Sequence, residues 1–231
     1  MENWLQFARG PLFTITFLIM VFGLIRHVLL QLLLLATKGR TLKLVRWRRV
    51  ASDTLSWMFP VRHLIKGTVI LTLTSIIFHI GVILVPCFLA DHIALWEKFI
   101  GLDLPALTKG LADSLTLLTI ACILVLLMCR ILITRSRALS RPSDYFLLVM
   151  VLLPFFTGYL AAHPAANPLP WNKMMLFHIL SAEALFVIVP FSKLAHMVLF
   201  PFDRLSQVHW QLRAGAGDKV AAALFGEEAK V

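Results

Sequence analysis

The run His178-Ile-Leu-Ser-Ala-Glu-Ala-Leu-Phe-Val-Ile-Val-Pro-Phe-Ser-Lys-Leu-Ala-His196 lies in one long apolar segment and carries a histidine at each end. A separation of eighteen residues is about five helical turns, so at about 100° per residue both rings leave one face of a continuous helix. At about 1.5 Å of rise per residue they stand ~27 Å apart, close to the ~30 Å hydrocarbon core of a bilayer. Imidazole is costly in lipid and needs a partner there. One stripe with a histidine near each membrane surface points to two stacked cofactors, most simply two haems. Between the histidines the stripe carries Ala182, Leu185, Val189 and Ser192, with Ser181 and Ala195 beside it. Small side chains there make room for a flat macrocycle, and they equally suit tight helix packing.

The rest of the chain agrees with a membrane setting. Its 231 residues are 59% hydrophobic and only 15% charged, too little charge for a soluble domain of this length. Apolar runs at 12–35, 68–90, 115–133, 145–162 and 174–200 are each long enough to span. The expected fold is an all-α integral membrane protein, a single five-helix transmembrane bundle over 1–231 with a short tail at 201–231. Short loops leave no room for a separate soluble domain. The first run is too long for a signal-peptide core and has no small-residue cleavage pattern after it, so it reads as a membrane helix.

The net charge of +10 raises nucleic acid as a partner, but its distribution argues against one. Lys38, Arg40, Lys43, Arg46, Arg48, Arg49, Arg62 and Lys66 crowd the first loop, and Arg130, Arg135, Arg137 and Arg141 the third. Lys193, Arg204, Arg213, Lys219 and Lys230 flank the end, whereas the second loop sets Lys98 and Lys109 against Asp91, Glu97, Asp103 and Asp113. The positive-inside rule then predicts a periplasmic N-terminus and a cytoplasmic C-terminus, in the inner membrane. The basic face is also a place for an acidic partner or anionic lipid to dock. Cys87, Cys122 and Cys129 all lie in apolar runs without CxxC or CxxCH spacing, which argues against covalent haem or an iron–sulfur cluster held by this chain.

Two imidazoles from facing helices are the usual axial pair of a b-type haem. The 174–200 run offers His178 and His196; the second run and its ends offer His63, His79 and His92. His63 and His79 stand sixteen residues apart, ~24 Å of helix, a close match to the ~27 Å of the other pair. On geometry alone His63 would face His196, and His79 would face His178. His63, however, sits beside Arg62 and Lys66, where a surface histidine is expected.

The His178–His196 run, with its Pro-Phe-Ser-Lys-Leu-x-His ending, resembles the fifth helix of the respiratory nitrate reductase gamma subunit. Phe78-His79-Ile80-Gly81 resembles that family's Phe-His-x-Gly motif. Leu139-Ser-Arg-Pro-Ser-Asp-Tyr145 and Ala162-His163-Pro164 resemble the gamma-like cytochromes found with heterodisulfide-reductase-type iron–sulfur proteins. The likeness covers about 60–201. It implies a five-helix, N-out, di-haem cytochrome b with His79 and His196 on the cytoplasmic-side haem. In the family the next ligand stands ten residues after the Phe-His-x-Gly histidine; here that position is Leu89, and the next histidine is His92, thirteen on. Pro86 lies between and can kink the helix, so His92 can inherit the role and pair with His178 on the periplasmic side.

Other polar residues in or near the apolar runs are secondary candidates. His163 is either an interfacial loop histidine, a quinol contact or a replacement ligand. Glu183, the lone carboxylate of the fifth run, is a candidate for proton relay, for pairing with an arginine or for capping a neighbouring helix. Arg26 and Arg130 either pair with haem propionates or snorkel to the surface. His27 reads as a packing or interfacial residue and His209 as a surface one.

Together the resemblance implies a membrane subunit with two haem b groups that moves electrons between a quinone/quinol pool and a partner, as quinol oxidation with protons leaving to the periplasm. The partner would be an iron–sulfur subunit on the cytoplasmic face, with a periplasmic multihaem cytochrome and other membrane subunits as further possibilities. The same cytochrome run as a quinone reductase, and a non-redox anchor or small transporter, are the alternatives. The last would not call for two same-face histidines, and the broken half-helices of a repeat transporter are not evident.

Overall fold

The computed structural model describes residues 2–37, 69–101 and 103–200, with isolated positions 48, 51, 52, 55, 202 and 222. Among these residues every regular element is helical and none is a strand. Five helices are long and apolar enough to cross a membrane: Glu2–Leu34, Val69–Phe88, Lys109–Leu132, Pro142–Ala162 and Trp171–Phe191. That is the make-up of a multi-pass membrane protein, in which helices satisfy every backbone group without water. Large apolar side chains such as Phe22, Leu33, Ile70, Ile83 and Leu132 point outward, as lipid-facing residues do. The basic first loop and the tail, on which the orientation expectation chiefly rests, lie outside the described residues.

The helices are α1 (Glu2–Phe7), α2 (Phe13–Thr37), α3 (Val69–Phe88), α4 (Ala90–Ile100), α5 (Lys109–Leu132), α6 (Thr134–Leu139), α7 (Pro142–Ala162) and α8 (Trp171–Ile188). A π-helical turn, Ala8–Leu12, joins α1 to α2 around Pro11. Proline has no N–H to give the ladder, and a widened turn absorbs the defect. The first span therefore starts well before residue 12. Hydropathy marks the lipid-facing part of a helix, whereas Glu2, Gln6 and Arg9 continue it in polar residues.

The chain forms two compact units: Met1–Thr16 with Arg62–Phe186, and Phe17–Val61 with Val187–Val231. In the first, α5 is central, packing on α3 and on α7. The α3–α5 seam is built on small residues. A methyl group at Gly81 would run into Thr119, which is 1% exposed. The Thr119 hydroxyl donates to the Leu115 carbonyl (2.6 Å) and that of Thr116 to Ala112 (2.8 Å), so both lie flat against their own helix. Backbones meet closely along such a seam, which is how helices associate where lipid removes the hydrophobic drive.

Pro86 was expected to kink a continuous second helix. Instead α3 ends at Phe88, Leu89 is extended (φ −70°, ψ 132°), and α4 begins afresh. The break leaves carbonyls without helical donors, and local groups take them. Leu89 N–H still closes the helical bond to Val85 (3.1 Å), whereas the Trp96 indole N–H takes the Pro86 carbonyl (3.0 Å) and Leu107 N–H that of Phe88 (2.9 Å). The last bond brings the approach to α5 against the end of α3. Gly101 closes α4 at φ 68°, its N–H donating to Glu97 (3.0 Å), a conformation that glycine adopts at low cost.

The other end of α5 is tied to the start of α7. Asp144 accepts from the Arg141 N–H (2.8 Å) and lies 3.9 Å from the Arg130 guanidinium, which also donates to Ser140 Oγ (3.0 Å). Tyr145 donates its hydroxyl to the Arg130 carbonyl (2.9 Å).

The 174–200 run is not one helix. α8 stops at Ile188; Val189–Phe191 is a 3-10 turn, Ser192 is fully extended (φ −131°, ψ −179°), and Lys193–Ala195 is a second 3-10 turn. Pro190 cannot donate to the ladder, and Ser192 caps the restart by accepting from Leu194 N–H (3.2 Å). The five-turn register assumed between His178 and His196 therefore does not run through, and the shared-face argument is corrected. In the second unit, the Pro190 carbonyl accepts the His27 Nε2–H (2.7 Å), and Gly23 leaves the space that the Pro190 ring occupies.

Candidate functional site

His92 and His178 meet in the first unit. Their ring centroids are 6.0 Å apart and their planes 3° from parallel. The restart at Ala90 places His92 on the first turn of α4. The His178 Nδ1–H donates to the Pro154 carbonyl of α7 (2.9 Å), leaving Nε2 as the second ring nitrogen. Gly158, one turn further along α7, makes room for that ring: a Cβ there would stand 2.8 Å from His178 Cε1 and 3.0 Å from Nδ1. Burial holds the His92 imidazole below its ordinary pKa, an effect partly offset by the Pro86 carbonyl, the Asp91 charge and the Val85 carbonyl. Neutral imidazole is the form that binds metals.

The other two proposed ligands show the same local pattern. His79 Nδ1–H donates to Ser75 (2.6 Å), with Phe78 edge-on to the ring at 5.0 Å, and His196 Nδ1–H donates to Lys193 (2.8 Å). One ring nitrogen fixed on a carbonyl, setting the tautomer and direction of the other, is the usual support of a ligating histidine. His79 belongs to the first unit and His196 to the second. His63, the rival ligand, and His209 lie outside the described residues.

A haem can be tested against the His92–His178 pair. Two neutral imidazoles from separate helices, brought to within 6.0 Å with Gly158 keeping room beside one of them, are the donor type that a haem iron would take. Among the described residues no group of three or more His, Cys, Asp or Glu side chains is placed to hold a metal ion alone.

The remaining candidates are placed differently. His163 has both ring nitrogens engaged, Nδ1 with the Tyr159 carbonyl (2.8 Å) and Nε2 with Asp113 Oδ2 (3.2 Å). The ring is thus placed against Asp113 of α5 as well as its own helix. Arg130 is engaged by Asp144 and Ser140, whereas Arg26 is exposed on α2. Glu183 is 2% exposed, and neither carboxylate oxygen has a hydrogen-bond partner among the described residues. Among the described residues it meets no arginine and caps no helix. Pro154, Gly158 and Asp113 had no signal in the sequence, since each gains meaning only from a residue on another helix.

No family model and no solved structure matches the chain. A relative is found in Nitratidesulfovibrio vulgaris (strain Hildenborough), 32% identical over 213 residues, covering 86% of this chain and 89% of that protein. On that likeness, which runs nearly end to end, the chain belongs to one family with the Nitratidesulfovibrio vulgaris protein.

Proposed function

We propose that this chain is the membrane subunit of a respiratory-type redox complex, binding two haem b groups and carrying electrons between quinol and a partner protein. The observation that carries the reading is the close approach of His92 and His178 from separate helices, ring centres 6.0 Å apart, with His178 anchored on Pro154 and given room by Gly158. It favours the pairing implied by the nitrate reductase gamma resemblance over the one that sets His79 against His178. His92 and His178 would hold one haem, and His79 and His196 the other.

The haems, when bound, supply one-electron redox chemistry. The protein supplies ligation, orientation and a low-dielectric setting. Fixing Nδ1 of His79, His178 and His196 on backbone carbonyls sets the tautomer in which Nε2 is the nitrogen that would meet the metal. The N-terminus is periplasmic and the C-terminus cytoplasmic by the positive-inside rule, in the inner membrane. The His92–His178 haem then lies on the periplasmic side. Quinol is oxidised there, and electrons leave toward an iron–sulfur subunit on the basic cytoplasmic face.

The test is a reduced-minus-oxidised spectrum of membranes containing the chain. Addition of a reduced naphthoquinone should develop the α-band of b-type haem. A chain that binds haem but is untouched by quinol would remove the quinol coupling, and a chain that binds none would remove the cytochrome reading.

A further inference from the structure

A second polar grouping stands at the His92 end of the first unit. Pro154 and Gly158 of α7 meet His178, and the helix runs on past them to His163, its C-terminal cap. The Leu107–Phe88 bond brings the approach to α5 to the end of α3, and Asp113 stands in the second turn of α5. There His163 Nε2 lies 3.2 Å from Asp113 Oδ2, its Nδ1 lies 2.8 Å from the Tyr159 carbonyl, and its ring stacks on Tyr159 (4.1 Å, 23°). The side chains are 24% and 31% exposed, so the pair is framed by protein yet reachable.

Hydrogen bookkeeping defines what this pair does. A carbonyl only accepts, so Nδ1 carries the hydrogen, and Nε2 of a neutral ring is then a bare lone pair. It faces a carboxylate oxygen that also only accepts. One added proton converts this lone-pair-to-lone-pair contact into a charge-assisted hydrogen bond. Asp113 from α5 and Tyr159 from α7 are the titratable groups in contact with the imidazole among the described residues.

We propose that His163 and Asp113 accept a proton from a hydroquinone oxidised at this end of the protein, an inference that rests on the quinol-coupled reading above. Hydroquinone loses two electrons and two protons to become quinone. The electrons pass one at a time to a haem-type acceptor; one hydroxyl proton enters the Nε2–Oδ2 position, and the other goes to water at the surface.

The experiment uses the full chain in its complex, as wild type, H163Q, D113N and D113E. Dithionite spectra report whether each retains its haem and fold. Stopped-flow reduction by menadiol should be at least tenfold slower in H163Q and D113N, with the pH dependence of the rate flattened, and largely restored in D113E. Independently of turnover, the pH-difference infrared spectrum of the oxidised protein without quinol should show paired imidazole and carboxylate bands that vanish in both variants. Variants that reduce at the wild-type rate with an unchanged pH profile, or infrared bands unaffected by D113N, overturn the proposal and leave the quinol reading standing. Wild-type haem that menadiol does not reduce overturns the quinol reading and this proposal with it.

Discussion

The imidazoles of His92 and His178 face one another with centres 6.0 Å apart and planes 3° from parallel, the first carried by the helix that restarts after Leu89 and the second by α8. What holds the second ring in place is chiefly α7. Gly158→Ala puts a methyl group 2.8 Å from His178 Cε1, so the ring must move. Overpacking of this kind costs about 1–3 kcal/mol. The variant should lose haem from one site, and Gly158→Val should lose it more completely. Gly110→Ala, where a Cβ meets nothing within 4 Å, is the control and should retain full haem absorbance.

Gly81→Ala should weaken the α3–α5 seam, because the new methyl group meets Thr119 against a helix backbone. The expected loss is again about 1–3 kcal/mol. Adding Thr119→Ala should recover part of it, since that substitution removes the atoms it meets. A double-mutant cycle in thermal melts of the detergent-solubilised protein measures the coupling.

Asp144→Ala should destabilise the start of α7 by about 0.5–2 kcal/mol through loss of the bond to the Arg141 N–H. The ion pair with Arg130 contributes little beyond that, because the arginine is 36% exposed and the separation is 3.9 Å. Arg130→Gln should therefore cost less than Asp144→Ala and leave the haem spectrum unchanged.

His27→Leu should strand the Pro190 carbonyl, which accepts the His27 ring N–H. An unsatisfied buried acceptor costs about 1–3 kcal/mol. The melting temperature should fall, whereas haem content should hold, since His27 is not a proposed ligand. His27→Gln should recover part of the loss.

The five spans were legible because lipid demands long apolar helices, and that demand is written in composition alone. Their ends were less so, as with the polar first turns of the Glu2–Leu34 span. The two proline sites were the hardest to read. Pro86 lies inside α3 and Pro190 in the turn after α8, yet the break falls at Leu89 in one case and at a turn followed by extended Ser192 in the other. Which residue gives way depends on donors distant in sequence, Trp96 and Leu107 for the first and His27 for the second. His92 was one of three candidate histidines at the second run, and its pairing with His178 came from the resemblance alone, because its spacing from His79 departs from the family pattern. Gly158 and Asp113 carry no local signature; one is defined by the His178 ring and the other by His163.

The most direct test of the central claim is haem stoichiometry. A pyridine haemochrome assay on purified, folded protein expressed with ample haem should return two b haems per chain for the wild type, one for His92→Ala or His178→Ala, and two for His63→Ala. No haem in the wild type, or two in the His92 variant and one in the His63 variant, would contradict the account.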